Sequence, residues 1–396
     1  EAEIAGLLSG LDGRFVAPGP SGAPTRGRPE VLPTGRNFYS VDTRLVPTPA
    51  AWHLGWKSAC LLLERYRQEH GNWPKSLALS AWGTANMRTG GDDIAQALAL
   101  MGVRPNWDAN SGRLAGFEVL PLSILDRPRV DVTLRISGFF RDAFPQQVDL
   151  VASAARAVAE LDEPPAMNPL AERAGREQAA FIASGMSAEQ ASRRSTMRVF
   201  GSKPGAYGDG AEGAAEHKLF EARLGQVEAV LHNQDNREHD LFDSDDYYQF
   251  EGGLAVTVRE LSGRKPPVYH NDHSRPESPR IRRLEEEVAR IVRGRVVNPK
   301  WIAGVMRHGY KGAFEMAATV DYMFAFATTT GAVADHHFDL VYQAYLADPP
   351  VREFLLSANR DAAREMAERL LEAMERGLWR PRLNAAFEDL TALKAA

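Results

Sequence analysis

Residues 76–101, SLALSAWGTANMRTGGDDIAQALALM, contain the pattern that indicates the fold class. Residues 76–81 are a short apolar run, which predicts a buried strand. Residues 82–91 have the composition of a polar loop. Residues 92–101 are apolar after two leading aspartates, and acidic residues in the first turn favour a helix. A strand, a loop and a helix in this order are the basic unit of an α/β layer.

Segments on both sides repeat this alternation. A helix is predicted from Pro49 to His70, because proline is favoured in the first turn and Gly71 follows its end. Strands are predicted at residues 116–120 and 130–137. We therefore expect an α/β region with a short mixed or parallel sheet and flanking helices, followed by a mainly helical C-terminal region.

The chain is expected to fall into four segments. These are an N-terminal helix end with extended coil at 1–37, an α/β domain at 38–165, a helix-rich region with an acidic, histidine-containing loop at 166–297, and a helical region at 298–396. Within the third segment, helices are predicted at 216–231 and 278–292, from their apolar spacing.

Composition limits the class of protein. The chain has 396 residues, of which 44% are hydrophobic and 25% charged, as is typical of a globular protein. Its net charge of -5 argues against nucleic-acid binding. The absence of an apolar run of about 18 residues argues against a membrane span. Cys60 is the only cysteine, which favours a cytoplasmic setting, and the start without methionine suggests a fragment or a processed product.

Residues 231–250, LHNQDNREHDLFDSDDYYQF, are the strongest candidate for a metal site. His232 and His239 lie among six acidic residues, and a combination of imidazole and carboxylate suits divalent first-row transition metals. The alternative is a solvated acidic loop between two helices. Aromatic residues at the end of the stretch favour a loop that packs onto the core.

The spacing of the two histidines restricts how they could share a metal. On a continuous helix, seven residues separate two side chains by about 10 Å, which is too far for one ion. They could share an ion only if residues 233–238 form a loop that folds them together, and the Asn, Asp and Gln content favours such a loop. We predict that His232, His239 and Asp240 carry the metal step, with His270 and His273 as reserve ligands. The alternative is that His232 ends its helix and His239 orders the loop.

Residues 82–93 could bind an anion. A strand, a polar loop and a helix N-terminus leave backbone N–H groups pointing outward, and Arg88 adds positive charge. Arg36, Arg135 and Arg141 are further candidates, because guanidinium pairs with carboxylate in a bidentate manner. The alternatives are an ordinary loop and surface ion pairs.

The glycine-rich residues 201–210 do not match the phosphate loop of ATP-binding proteins. The G-x-x-x-x-G-K-[ST] pattern does not occur there or elsewhere in the chain. A structural turn is the better interpretation. We therefore expect that this chain does not itself bind or hydrolyse ATP.

Several longer motifs point to a known family. They are LPTGRN at 32–37, PTP at 47–49, WGT at 82–84, GVRP at 102–105, RPRVD at 127–131, SGFFRD at 137–142, NPKW at 298–301 and HGY at 308–310. Together they resemble the large subunits of the multi-subunit metal chelatases, which insert Mg²⁺ into protoporphyrin or Co²⁺ into a corrin precursor. Residues 232–249 resemble the cobalt branch, the CobN-type subunit of the aerobic cobalamin pathway. The resemblance covers nearly the whole chain and corresponds to the C-terminal part of that subunit.

The resemblance implies ATP-dependent insertion of Co²⁺, as substrate metal, into hydrogenobyrinic acid a,c-diamide. In this family ATP is hydrolysed by a separate AAA+ ATPase subunit, a bridging subunit joins the complex, and the large subunit binds tetrapyrrole and metal. Arginines could hold the carboxylates of the corrin precursor. The residues we predict to bind this substrate are Arg36, Asn37, Trp82, Thr84, Asn86, Arg88, Arg135 and Arg141.

Two other functions stay open. One is a magnesium-branch or divergent chelatase that uses another metal. The other is a non-catalytic tetrapyrrole-binding scaffold. Competition between metals would distinguish the first from a cobalt enzyme, and turnover with partner subunits would distinguish the second.

Overall fold

The computed structural model describes residues 1–20, 22, 24–26, 28–36, 41–203, 214–236 and 239–395, without the side chains of residues 214–216 and 250. The described residues contain the strands β1 Ser76–Ala81, β2 Val103–Trp107, β3 Leu114–Val119, β4 Asp131–Ile136, β5 Val199–Gly201, β6 Ala229–Gln234, β7 Val268–Asp272 and β8 Arg280–Arg283. Six of them form one sheet in the order β5-β4-β1-β6-β7-β8, and β2 and β3 form an antiparallel hairpin.

The central strands of the sheet are parallel. β1 pairs in parallel with β4 on one side and with β6 on the other, and β4 pairs in parallel with β5. Leu77 lies opposite Val132 and Ala229, so apolar residues face one another across three strands. All six residues of β1 and all six of β4 are buried, as expected for a parallel sheet covered on both faces. The carboxyl ends of these strands therefore lie along one edge of the sheet.

The chain divides into two compact units. The first comprises Glu1–Asp235 and Asn271–Ile281, and the second comprises Asn236–His270 and Arg282–Ala396. We call them unit 1 and unit 2.

The sheet of unit 1 is accompanied by helices. They are α1 Ala2–Leu11, α2 Pro49–His70, α3 Gly83–Thr89, α4 Asp92–Met101, α5 Leu122–Leu125, α6 Gly138–Ala143, α7 Pro145–Ala159, α8 Pro169–Ala183, α9 Ala188–Thr196 and α10 Ala214–Leu224. α2 begins where the Thr48 hydroxyl accepts a hydrogen bond from the Ala51 N–H (3.2 Å), and it ends at Gly71, whose φ is 77°. Gly55 lets α2 approach α4 closely, since a Cβ there would lie 2.6 Å from the backbone nitrogen of Gln96. This close packing buries every residue of α4.

Unit 2 is mainly helical. Its helices are α11 Asp245–Tyr247, α12 Gly253–Ser262, α13 Leu284–Ile291, α14 Pro299–Met306, α15 Tyr310–Thr330, α16 Asp335–Val341, α17 Pro349–Ala358, α18 Arg360–Glu375 and α19 Ala386–Ala395. Buried side chains of α15 and α18, including Met316, Val320, Met366 and Leu370, form part of its core. Among the described residues, none of the helices combines the length and apolar character needed to cross a bilayer.

The predicted fold class is confirmed, while several element assignments were wrong. Residues 82–91 contain α3 rather than only a loop. The helix predicted at 216–231 ends at Leu224, and β6 follows it. The segment 278–292 begins with β8, so its helix is limited to α13. β6 was missed because four consecutive buried residues give no alternation by which a strand could be told from a buried helix. The four segment boundaries stay predictions.

Candidate functional site

Polar residues follow the carboxyl ends of three neighbouring parallel strands in unit 1. Trp82 comes directly after β1, Ser137 after β4 and Asp235 after β6. The Gly83 N–H donates to the Ser137 hydroxyl (3.3 Å), which connects the ends of β1 and β4. Ligands of open α/β sheets bind outside the carboxyl ends of the strands. This edge, which we call the carboxyl edge, is therefore the candidate site.

A buried carboxylate with neutral partners lies at the carboxyl edge. Asp93, in the first turn of α4, accepts hydrogen bonds from Asn86 Nδ2 on one oxygen (2.9 Å) and from Asn233 Nδ2 on the other (2.8 Å). Burial raises the pKa of Asp93 to about 7, and the negative charge of Asp235 contributes to this rise. The two amide donors and His232 lower the pKa, but they offset the effect of burial only in part. Asp93 can therefore exchange a proton near neutral pH.

Asn233 connects this carboxylate to the next strand. Its Nδ2 also donates to Gln96 Oε1 (2.9 Å), and its Oδ1 accepts from Asn271 Nδ2 (2.6 Å). The backbone N–H of His273 donates to the backbone carbonyl of Gln234 (2.8 Å), so the ends of β6 and β7 lie side by side. Amide side chains thus form a continuous hydrogen-bonded chain across this edge.

His273 is held in a defined orientation. The Ser58 hydroxyl oxygen accepts a hydrogen bond from Gln96 Nε2 (2.9 Å). The Ser58 hydroxyl can then donate its own proton to His273 Nε2, which lies 2.7 Å from the Ser58 oxygen. The ring then carries its proton on Nδ1, which lies 3.7 Å from Asp92 Oδ2, too far for a hydrogen bond. Burial, reinforced by Arg26, lowers the pKa of His273 to about 4, so it is neutral at neutral pH. Ser58 is fully buried, so this Ser-His-Asp alignment does not expose a nucleophile to a substrate.

Arg26 joins two acidic residues of the site. Its guanidinium donates to Asp92 Oδ2 (3.0 Å) and to the Asp235 backbone carbonyl (2.6 Å). Burial raises the pKa of Asp92 well above its ordinary value, and Arg26 counteracts this only partly. The neighbouring negative charges of Asp93 and Asp235 raise it further.

Arg88 forms the accessible rim of the site. It donates to both carboxylate oxygens of Asp235, at 2.7 Å and 3.2 Å. The Arg88 side chain is 45% exposed, whereas that of Asp235 is 12% exposed. This bidentate geometry is the one by which arginine recognises carboxylates.

The structure brings some of the predicted substrate-binding residues together. Asn86 and Arg88 are in the network, and Trp82 and Thr84 lie at the start of the same helix, α3, with Thr84 exposed. The contacts of the other predicted residues are given next, and one of them falls outside the described residues.

Arg135 is buried on β4. Arg141 donates to the carbonyls of Ser202 and Lys203 (2.6 Å each). Arg36 donates to the Pro33 carbonyl (3.2 Å). Asn37 lies outside the described residues. The substrate-binding role of all these residues stays a prediction.

The predicted metal ligands fall in both units. In unit 1, His232 is buried on β6, and His273 has the contacts given above. In unit 2, His239 is exposed, and its backbone N–H donates to Asn236 Oδ1 (3.1 Å). His270 is buried, and its ring nitrogen Nε2 lies 3.7 Å from Glu287 Oε1.

Asp240, also in unit 2, forms an ion pair with Arg295. Both of its oxygens accept from Arg295, at 2.6 Å and 2.7 Å. Over the described ranges, no group of three or more His, Cys, Asp or Glu residues is arranged to hold a metal ion. The segment that would have to bring His232 and His239 together includes residues 237–238, which lie outside those ranges. The ligand set stays a prediction.

Several residues of this network were missed from the sequence. They are Arg26, Ser58, Asp92, Asp93 and Gln96. A signal was present, because two aspartates and a glutamine interrupt the otherwise apolar residues 92–101. Polar side chains on a helix that is apolar all round must find buried partners.

Comparison with known proteins places these observations in a family. A family model described as CobN/Magnesium Chelatase matches residues 1–216 and 206–385. The chain is 61% identical to an aerobic cobaltochelatase subunit CobN of Sinorhizobium sp, over 100% of the chain and 33% of that protein. It is 56% identical to the subunit of the same name from Pseudomonas aeruginosa, over 96% of the chain and 33% of that protein.

A magnesium-branch protein is less similar. A magnesium-chelatase subunit of Rhodobacter capsulatus is 37% identical over 98% of the chain and 35% of that protein. Among solved structures, the catalytic subunit of cobaltochelatase from Mycobacterium tuberculosis superimposes with a TM-score of 0.88 at 45% identity, over 100% of this chain and 36% of the other. The chain thus spans about a third of the length of the curated relatives it matches.

Proposed function

The chain belongs to the CobN/Magnesium Chelatase family, and we propose that it forms part of the large subunit of an ATP-dependent cobaltochelatase. In this role it contributes to the insertion of Co²⁺ into hydrogenobyrinic acid a,c-diamide during cobalamin biosynthesis. The observation that carries the proposal is the much higher identity to cobaltochelatase subunits than to a magnesium-chelatase subunit, over nearly the whole chain.

The carboxyl edge of unit 1 is the proposed binding surface for the tetrapyrrole. Arg88 supports this role, because its half-exposed guanidinium already holds a carboxylate in bidentate geometry. A carboxylate of the corrin precursor offers the same two oxygens. Trp82 and Thr84, on the same helix, would flank the bound substrate. The remaining proposed substrate contacts are Arg36, Asn37, Asn86, Arg135 and Arg141.

Metallation displaces protons from the pyrrolic nitrogens, so the site needs a proton acceptor. Asp235 at the rim and Asp93 behind it are the proposed acceptors, because Asp235 is partly exposed and Asp93 has a pKa near 7. For the metal step we propose His232, His239 and Asp240, with His270 and His273 as further ligands. Nitrogen and oxygen ligands suit a metal that must be released to the macrocycle, since thiolates hold it more firmly.

ATP hydrolysis is proposed to reside in partner proteins. An AAA+ ATPase subunit would hydrolyse ATP, and a bridging subunit would join it to the large subunit. The sequence supports this division of labour, since the chain lacks the G-x-x-x-x-G-K-[ST] pattern.

The proposed function is tested with the large subunit that contains this sequence, together with its ATPase partners. Metal insertion is followed by the absorbance change of the corrin while Co²⁺, Mg²⁺ and Zn²⁺ compete. We expect ATP-dependent insertion of Co²⁺. Preferred insertion of Mg²⁺ into protoporphyrin would assign the chain to the magnesium branch. Corrin binding without any turnover would indicate a scaffold.

The binding surface is tested by a matched pair of variants. Arg88→Ala removes the rim arginine, whereas Arg67→Ala removes another half-exposed arginine that forms a bidentate pair with Glu64 on α2. We expect Arg88→Ala to weaken corrin binding by about 1–3 kcal/mol and Arg67→Ala to leave it unchanged. Equal corrin affinity in both variants would show that Arg88 is structural.

A further inference from the structure

Two helices of unit 2, α15 and α18, line an open groove of about 470 Å³. On α15 the lining residues Phe314, Ala317, Asp321 and Tyr322 recur at helical spacing and therefore share one face. The small side chain of Ala317 lies between the two aromatic residues. The floor of the groove thus has room for an inserted apolar side chain.

The groove carries an excess of negative charge. Glu365, Glu368 and Glu372 line it from one face of α18, and Asp321 faces them from α15. Among the described residues, Arg369 is the only cation in its lining. The lining holds four carboxylates and one guanidinium, and Arg376, which is not a lining residue, pairs with Glu372 (3.3 Å), so two negative charges are left over.

The guanidinium of Arg369 has three contacts with residues of α15 and α18. Arg369 donates from Nε to Asp321 (2.6 Å) and from a terminal nitrogen to Glu372 (2.5 Å), and its guanidinium lies 4.8 Å above the ring of Phe324. Arg369 therefore pairs with both Asp321 and Glu372, and Glu372 has a second cationic partner in Arg376.

The other two glutamates have no such compensation. Within the part of the chain that the structure describes, Glu365 and Glu368 make no ion pair and no side-chain hydrogen bond. They lie three residues apart on α18 and both line the groove. Phe314, on the facing helix, is 57% exposed, and Tyr310, one turn earlier, is 68% exposed. The carboxylates of Glu365 and Glu368 thus line the same groove as the exposed ring of Phe314.

From this arrangement we infer that the groove between α15 and α18 binds a basic segment of a partner protein that carries one apolar anchor residue. Lysine or arginine side chains of the partner would pair with Glu365 and Glu368, and their aliphatic stems would pack on the aromatic rings. The anchor residue would fill the space above Ala317, next to Phe314. Anchors in a pocket surrounded by complementary charge are typical of interface hot spots. This inference does not depend on the proposed chelatase reaction.

The charge of the groove argues against other occupants. Nucleic acids and anionic lipid surfaces would be repelled by the carboxylates of Glu365 and Glu368. The described acidic residues do not form a group arranged to hold a metal ion. A basic protein segment fits both the charge and the exposed aromatic surface.

The probe is a labelled amphipathic peptide with one tryptophan flanked by arginines and lysines. Two matched peptides serve as controls, one with glutamates in place of the basic residues and one with serine in place of tryptophan. Binding to the chain is measured by fluorescence anisotropy at low and high salt. We expect only the first peptide to bind, and its affinity to fall as salt screens the ion pairs. Equal binding of the serine peptide would overturn the role of the anchor.

Variants locate the binding. Glu365→Gln/Glu368→Gln should lower the affinity about fivefold, and Phe314→Ser about tenfold. The control Glu353→Gln/Glu388→Gln makes the same change in net charge at exposed positions on α17 and α19 and should leave the affinity unchanged. Equal losses in both double variants would show general charge attraction and overturn the proposal.

Two further measurements complete the test. Hydrogen exchange should show peptide-induced protection in α15 and α18, and protection confined to other helices would contradict the proposal. Each variant is first checked by its thermal unfolding, and if Phe314→Ser does not fold, the glutamate variants, which alter only surface charge, decide the outcome. A dimer of the chain that Glu365→Gln/Glu368→Gln abolishes would assign the groove to a second copy and overturn the proposal.

Discussion

The two edges of the sheet in unit 1 each bury an aspartate, and the two residues are in opposite electrostatic states. Asp131, at the amino end of β4, pairs with Arg198 through both oxygens and with Arg173 at 2.9 Å. Burial alone would raise the pKa of Asp131, but the two arginines outweigh it and lower the pKa below its ordinary value. Asp93, at the carboxyl edge, has only amide donors, and burial raises its pKa to about 7.

This difference separates a structural site from a candidate functional one. At the amino edge, cations compensate the buried charge, so Asp131 remains ionised and joins β4 to the residues around it. At the carboxyl edge, the amide donors and His232 compensate the burial of Asp93 only in part, which costs stability but keeps a proton exchangeable near neutral pH. Perturbed pKa values of this kind cluster at functional sites. The comparison supports the carboxyl edge, rather than the amino edge, as the place of chemistry.

The largest expected effect concerns the amino edge. Asp131→Asn should lower the free energy of unfolding by about 4 kcal/mol, because it leaves the guanidinium groups of Arg198 and Arg173 buried without their carboxylate. Urea unfolding at neutral pH measures this. A loss below about 1 kcal/mol would mean that the ion pair does not distinguish this edge from the other.

The second prediction concerns the pH dependence of stability at the carboxyl edge. The folded pKa of Asp93, about 7, lies above its unfolded value of about 4. At pH values between about 4 and 7, Asp93 is protonated in the folded chain and ionised in the unfolded chain. The free energy of unfolding therefore falls as the pH rises, and the loss is complete above about pH 7. Asp93→Asn does not titrate. The stability of the parent chain relative to this variant should therefore decline by about 3 kcal/mol between pH 4 and pH 8.

Urea unfolding of both proteins across this range measures that difference. A constant difference would mean that Asp93 remains ionised in the folded state, as Asp131 does. The electrostatic contrast between the two edges would then not exist.

A smaller loss is expected from the amide network. Asn233→Ala removes the donor to Asp93 and Gln96 and the acceptor for Asn271, so the free energy of unfolding should fall by about 2 kcal/mol. The pKa of Asp93 should rise further, because Asn233 lowers it. Asn110→Ala, at an exposed position between β2 and β3, is the control and should have little effect. Equal stability of the two variants would show that the network is dispensable.

The smallest effect on stability is expected at the rim. Arg88→Ala removes a half-exposed ion pair and should change the free energy of unfolding by about 0.5 kcal/mol or less, like Arg67→Ala on α2. Thermal unfolding of both variants measures this. A large loss in Arg88→Ala alone would indicate that the carboxyl edge depends on this pair for its fold.

Local sequence patterns predicted much of the fold. β1, α2 and α4 lie where their apolar runs and capping residues place them, because helix and strand signals extend over neighbouring residues only. β6 and β8 were not predicted correctly. The first four residues of β6 are all buried, so they show no alternation that would indicate a strand. β8 consists mainly of arginines, which continue the charged pattern of the helix that follows it. The pairing of these strands in the sheet supplies the preference that the local pattern lacks.

The candidate site was predicted only in part. Asn86, Arg88 and His273 were identified from their residue types and positions, whereas Asp93 and Gln96 were not. Asp93 was interpreted as an ordinary acidic residue in the first turn of a helix. Its partner Asn233 lies 140 residues away in the sequence, so local spacing carries no information about their contact.

The sequence by itself determined the family resemblance, the α/β class and most of the helices, since motifs and apolar periodicity are properties of neighbouring residues. The comparisons confirmed the family, and the sheet confirmed the class. Only the tertiary structure decided which acidic residues are ionised. The pKa of a carboxyl group depends on burial and on partners that approach through space, so Asp131 and Asp93 look alike in the sequence and differ only once the chain has folded.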